Sequence, residues 1–187
     1  MSIATKTGDD GTTGLMFNRR VPKTDPRIAA NGACDELNAA LGIARAWNDD
    51  PFIAQPIFEV QKELVILMGE IACAAEDRER YREKGFQCIE PAMVERLTAH
   101  IHDLETNHQI SYKHWATPGA TKASACLDQA RVICRRTERA MWELRESALP
   151  VSDAILHYLN RLSDLCWLLA RYSEHIKNEA GAGVVNA

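Results

Sequence analysis

The chain has 187 residues, 46% hydrophobic and 26% charged, which is enough for one full core and short for two. Asp and Glu outnumber Lys and Arg by 26 to 22, so neither a nucleic acid nor an anionic membrane is indicated as a partner. Six cysteines without C-x-x-C spacing, a polar start and no apolar stretch long enough to span a bilayer predict a soluble cytoplasmic protein with free thiols packed as small hydrophobes.

Residues 1–30 are predicted to form an irregular arm before one helical domain. Thr5-Lys6-Thr7-Gly8-Asp9-Asp10-Gly11-Thr12-Thr13-Gly14 sets glycines at every third position with hydroxyls and a lysine between them. Such a run turns backbone N–H groups toward an anion and suits phosphate, although the Walker pattern is absent and a disordered tail would share this composition. Arg19, Arg20, Lys23 and Arg27 then add cations around Pro22 and Pro26. A first helix is predicted over about 31–47, with Leu37, Leu41, Ala44 and Trp47 inward and Asp35 and Glu36 in its first turns, where the helix dipole favours acids. A second spans about 57–75 on Ile57, Val60, Leu64, Leu67, Met68 and Ile71, and Glu76 to Gly85 is predicted to be a charged loop. Pro91 opens a third, packed through Met93, Val94, Leu97, Ile101 and Leu104. Glu105 and His108 near its end form an E-x-x-H pair, and a single copy is a surface pair rather than a di-iron site.

Trp115-Ala116-Thr117-Pro118-Gly119 is a turn signal after a large aromatic residue, which in a loop caps a core. The fourth helix, about 121–146, packs through Ala123, Leu127, Ala130, Cys134, Met141 and Leu144. Arg131, Arg135 and Arg139 fall at i, i+4 and i+8 and form a positive rail flanked by Arg136, with Asp35, Glu36 and Glu138 as candidate counter-charges. The plain alternative is a solvated face laced with weak ion pairs. A fifth helix opens at an N-capping Ser152 stapled by Val151 and Leu156, and reaches about Lys177. Asn160 within it is a poor helix former, and points either to a ligand or to a hydrogen bond with a neighbouring helix. Residues 178–187 are predicted to be a flexible tail, and with no strand pattern the domain, 31–177, is all-α, a five-helix antiparallel bundle.

The ordered elements T-K-T-G-D-x-G-T-T-G, R-R-x-P-K-x-D-x-R, G-x-x-D-E-L-N-A-x-L-G, A-R-x-x-C-R-R-x-E-R and L-N-R-L-S-D-x-x-x-x-L-A-R-Y run from Thr5 to Tyr172 and resemble the PduO-type ATP:cob(I)alamin adenosyltransferases. The resemblance implies a ferritin-like bundle, a homotrimer and active sites between subunits. It implies that Thr5, Lys6, Thr7, Gly8, Thr13 and Lys23 wrap the triphosphate of ATP, completed by Arg135, Arg136, Glu138, Arg139 and Asn160 of the adjoining subunit, with Asp35 pairing Arg135 across the boundary. The implied reaction is attack of Co(I) of cob(I)alamin on the 5′ carbon of ATP, giving adenosylcobalamin and triphosphate. In it Lys23, Arg135, Arg139 and Mg²⁺ stabilise the leaving group and no general base is required. Trp115 stands where the family has Phe in an F-x-x-P-G loop, and is expected to keep the lower axial ligand off cobalt. A flavoprotein reductase and an adenosylcobalamin-dependent enzyme are the implied partners. Two other classes fit the same scaffold, a non-catalytic nucleotide-sensing or corrinoid-carrying trimer and a metal-storing bundle.

Overall fold

The structure is a computed structural model describing residues 4–110, 115–147 and 149–182, the side chains of 178–182 excepted. Its elements are the strands β1 (Thr12–Gly14) and β2 (Arg20–Pro22), then the helices α1 (Pro26–Ala46), α2 (Pro51–Ile71), α3 (Arg78–Glu83), α4 (Pro91–Thr106), α5 (Lys122–Glu146) and α6 (Asp153–Ala182). Five long helices form the bundle, and α3 is a single short turn of helix inside the segment expected to be a loop.

Proline opens α1, α2 and α4, where its missing N–H would have been unsatisfied in any case. Asp25 and Asp50 cap the first two of these by accepting the N–H groups of Arg27 (2.9 Å) and Phe52 (2.8 Å). These caps explain why α1 starts at Pro26 rather than near Asn31, and α2 at Pro51 rather than Ile57, with Pro56 carried inside. Thr121 caps α5 in a reciprocal box with Ser124, and Ser152 accepts the N–H of Ile155 at the start of α6. The sixth helix runs to Ala182, past the expected end at Lys177, and 183–187 of the expected tail lie outside the described residues.

Side-chain pairings fix the helix directions. Thr137 Oγ1 of α5 donates to Ala33 O of α1 (2.9 Å), while the far end of α1 and the first turn of α5 line one cavity, so the two run antiparallel. Glu63 of α2 accepts Tyr158 Oη of α6 (2.8 Å) and Arg96 Nη2 of α4 (2.5 Å). At the other end of these three helices the rings of Phe52 and His108 lie 4.7 Å apart, and those of Phe52 and Tyr172 4.8 Å. α4 and α6 therefore run parallel to each other and antiparallel to α2, the consequence of an odd number of long helices in one bundle. Burial pushes the Tyr158 phenol far above its usual range, so it stays protonated and donates to Glu63.

Leu37, Leu41, Leu64, Leu67, Leu97, Leu104, Leu127, Met141 and Leu159 are fully buried and form one core, each contributing about 1.5–3 kcal/mol of transfer free energy. Trp47 does not belong to it: expected on the inner stripe of α1, it is 55% exposed because it follows the last helical turn as the C-cap. All six cysteines are free, and burial drives the thiols of Cys34 and Cys166 up to about 12. No helix among the described residues is long and apolar enough to cross a membrane. The arm is less irregular than its composition predicts. β1 and β2 pair antiparallel with Thr13 opposite Val21, and Met16 N–H bonds to Ala72 O (3.1 Å) at the end of α2.

Candidate functional site

The hairpin folds the glycine-rich segment back on Lys23. Lys23 N–H bonds to Gly11 O (2.9 Å), and a Cβ at Gly8 would stand 3.3 Å from both Lys23 Nζ and Thr12 O, so the glycine permits the lysine to lie over the loop. Lys6 takes the left-handed conformation (φ 59°), which turns successive amides of the loop. Thr5 and Thr7 share a hydroxyl contact of 2.9 Å, and Thr13 lies on β1. Asp10 Oδ1 accepts from Thr12 Oγ1 (2.7 Å) and Thr12 N–H (3.0 Å), and these bonds hold its carboxyl below the usual range.

The four cations of the arm differ in their engagements. Arg19 forms a two-pronged pair with Asp77 beside α3, Arg20 bonds to Thr7 O (2.5 Å), Asp10 and Thr12, and Arg27 pairs with Asp25 (3.0 Å). Lys23 alone of the four has no carboxylate partner among the described residues. Three of them thus build the loop and fix it to the bundle, and the fourth is left facing solvent over it. The Arg19–Asp77 anchor and the Arg20 clamp were not foreseen from sequence, although D-x-T in a turn is a recognisable local signal.

On the bundle, Arg135, Arg136 and Arg139 are exposed along α5 and Arg131 is half-buried. Arg136 pairs with Glu36 of α1 and Arg131 lies 4.0 Å from Asp128, whereas Arg139 only donates to Arg135 O (3.2 Å). Arg135, Arg139 and Asp35 form no ion pair among the described residues. Asn160 Nδ2 donates to Glu138 Oε1 (3.2 Å), and Arg161 Nη1 donates to Asn160 Oδ1 (2.8 Å), so both ends of the amide are held. The Glu138–Asn160 contact joins α5 to α6 and leaves Arg135 and Arg139 beside it with their charge unspent.

Trp115 is 93% exposed, so it does not cap the core of its own chain. No hydrogen bond or ion pair among the described residues links the arm loop to Arg135, Glu138, Arg139 or Asn160. The chain presents two cationic half-sites and a free aromatic. Backbone amides with Lys23 on one side and two uncommitted guanidinium groups on the other are the donors that a polyphosphate takes. His108 packs at a tilt against Phe52 and edge-on against Tyr172, and no group of three His, Cys, Asp or Glu able to hold a metal occurs among the described residues.

A sequence model of the family described as cobalamin adenosyltransferase matches residues 3–173. A corrinoid adenosyltransferase of Mycobacterium leprae is 36% identical over 171 residues, 90% of this chain and 89% of that one. The corrinoid adenosyltransferase PduO of Citrobacter freundii is 35% identical over 178 residues, 94% of this chain and 50% of that protein, so the chain spans about half the length of that relative. Among solved structures, a Phe-to-His variant of the PduO-type ATP:corrinoid adenosyltransferase from Lactobacillus reuteri, complexed with cobalamin and ATP, has a TM-score of 0.85 at 29% identity, covering 95% of this chain and 93% of that one. An Arg-to-Lys variant of the same enzyme complexed with ATP has a TM-score of 0.83 at 28% identity, covering 95% and 96%.

Proposed function

The chain belongs to the cobalamin adenosyltransferase family, and from that premise we propose that it transfers the 5′-deoxyadenosyl group of ATP to Co(I) of cob(I)alamin, releasing triphosphate. The observation that carries this reading is Lys23, held over Gly8 by the hairpin and without a carboxylate partner among the described residues, while its three neighbouring cations are all engaged. A triphosphate leaving group gains negative charge as the C–O bond at the 5′ carbon breaks, and a lysine placed against it stabilises that charge without reorganisation. Cobalt supplies the electron pair and the adenosyl carbon receives it, so the protein needs neither nucleophile nor base. Its tasks are to align the 5′ carbon with cobalt and to hold the phosphates.

Arg135, Arg139 and Asn160 complete the phosphate cage when supplied by a neighbouring copy, and Asp35 of one copy then meets Arg135 of the next. A homotrimer with shared sites accounts for the lack, among the described residues, of any bond between the two clusters and of ion pairs for exposed charges on α1 and α5. The loop offers one exposed carboxylate without a hydrogen-bond partner among the described residues, Asp9, so Mg²⁺ carried mainly by phosphate oxygens fits here. Trp115, 93% exposed and outside the core of its own chain, supplies the wall at the lower face of the corrinoid in this reading. Anaerobic spectroscopy with MgATP and chemically reduced cobalamin tests the proposal: adenosylcobalamin and triphosphate are expected in equal amounts. Binding of either substrate without product would instead identify a carrier or sensor on the same scaffold.

A further inference from the structure

Between the end of α1, the first turn of α5 and the last turns of α6 lies a cavity of 610 Å³, lined by none of the candidate ATP residues. Trp47 forms part of its wall with 55% of its surface exposed, and Lys122 Nζ stands 5.1 Å from the indole centroid. Lys122 and Lys177 both line it, and neither forms an ion pair among the described residues. Two polar side chains reach it from the interior. Ser173 is only 5% exposed, and its hydroxyl has no hydrogen-bond partner among the described residues. Asn48 is 7% exposed, with Nδ2 held by Ala44 O (2.6 Å) and Oδ1 unengaged among those residues. The Thr121–Ser124 box satisfies the N–H of Ser124 and leaves those of Lys122 and Ala123 open at the positive end of a 25-residue helix.

The charges select the ligand. Asp49 and Asp50 also line the cavity, Asp50 being committed to the cap of α2, so two carboxylates stand against two lysines and the helix terminus. A polyanion such as ATP is disfavoured there, and a single negative charge joined to an uncharged aromatic body is not. Adenosyl transfer to cobalamin frees such a group. When the lower base leaves cobalt, the corrinoid carries a tail of one phosphodiester and one bicyclic aromatic base. Trp115 is six residues before Thr121, at most about 20 Å of extended chain, so a corrinoid walled by Trp115 lies within reach of the cavity.

We propose that this cavity receives the displaced nucleotide tail of the corrinoid, the phosphodiester at Lys122 and the open amides of α5 and the base stacked on Trp47. The proposal rests on the adenosyl-transfer reading and adds to it a basis for preferring a corrinoid with its tail to one without. The test compares cob(I)alamin with cob(I)inamide, which lacks the nucleotide, at saturating ATP in wild-type protein and in Trp47→Ala and Lys122→Gln. Trp47→Ala is expected to raise KM for cobalamin about tenfold, the size of one lost stacking contact, with Lys122→Gln acting in the same direction. KM for cobinamide and kcat with both corrinoids are expected to stay at wild-type values. A rise in both KM values together marks a structural effect and overturns the proposal, as does no rise in either. Failure of the wild-type protein to adenosylate either corrinoid overturns the reading beneath it.

Discussion

Asn160→Ala separates the two explanations open for a mid-helix asparagine. The substitution deletes two half-buried bonds, from Nδ2 to Glu138 Oε1 (3.2 Å) and from Arg161 Nη1 to Oδ1 (2.8 Å), together worth about 2 kcal/mol. In a chain of this size that lowers Tm by about 4–8 °C. A fold stable by about 5–15 kcal/mol stays almost fully populated at 25 °C after such a loss, so a purely structural Asn160 leaves the kinetics unchanged. A ligand contact behaves otherwise. Arg161 holds Oδ1 and Glu138 takes one amide hydrogen, which leaves the second hydrogen in a fixed direction for a bound nucleotide. Removing a hydrogen bond to a charged phosphate costs about 1.5–3 kcal/mol, or about 10- to 150-fold in kcat/KM for ATP. Thermal melts and steady-state kinetics on the same variant decide the matter. A Tm lowered by a few degrees with kcat/KM for ATP within about twofold of wild type would refute the ligand role and leave Asn160 as a clamp between α5 and α6.

Lys23→Ala should leave Tm unchanged, since the side chain has no carboxylate partner among the described residues, yet lower kcat about 10- to 1,000-fold; a rise in KM for ATP alone would make it a uniform binding contact. In a double-mutant cycle on activity, Asp35→Asn and Arg135→Gln should couple by about 1–3 kcal/mol, because the proposed pairing between copies would leave the survivor of a half-broken pair desolvated, whereas additive losses would show that the two residues do not meet. Trp115→Ala should abolish four-coordinate Co(II) in spectra with ATP bound while Trp115→Phe preserves it, and neither should alter Tm, the indole being 93% exposed. Glu70 is buried, and desolvation raises its carboxyl above the usual range against the bond it accepts from Ile89 N–H (2.8 Å); an acid with a raised folded pKa stabilises the fold at low pH and loses that contribution as pH climbs through the raised value. Melts of Glu70→Gln across that window should therefore be flatter than wild type, and an identical slope would show that Glu70 is not the titrating group.

The parts of this fold legible in the sequence are those in which one periodicity persists for several turns. Leu37 with Leu41, Leu64 with Leu67, Leu97 with Leu104, and Leu127 with Cys134 are all buried, because a stripe at spacings of three and four has one way to leave water. The rail of α5 was legible for the same reason, since spacing alone sets which arginines share a face. The two strands of the arm have three residues each, too few for alternation to register, and their pairing depends on the contacts of Arg20 and Lys23 within the turn. Tyr81 is the one buried residue of α3, so no stripe marked that helix. Trp47 was misplaced because size and hydrophobicity suggest burial, whereas its position past the last turn of α1 puts it outside. Half of the candidate site is legible as a motif. No bond among the described residues joins its two clusters, so neither motif marks how they would be brought to one ligand.

The arm is fastened to the bundle by few contacts, and those described lie near the end of α2 and around α3: Met16 to Ala72, Arg19 to Asp77, the ring of Phe17 against Phe86 and under Arg80, and the buried side chain of Leu15. Native-state hydrogen exchange resolves such regions as separate opening units, with free energies well below that of global unfolding. Amides in the two strands should therefore exchange through a partial opening that leaves the leucine-lined helices fully protected. A unit of this kind closes and opens without melting anything else, and a bound triphosphate that bridges it to a neighbouring copy would slow its exchange in proportion to ATP occupancy. The amides that grip the phosphates would then double as a clock for how long the nucleotide stays.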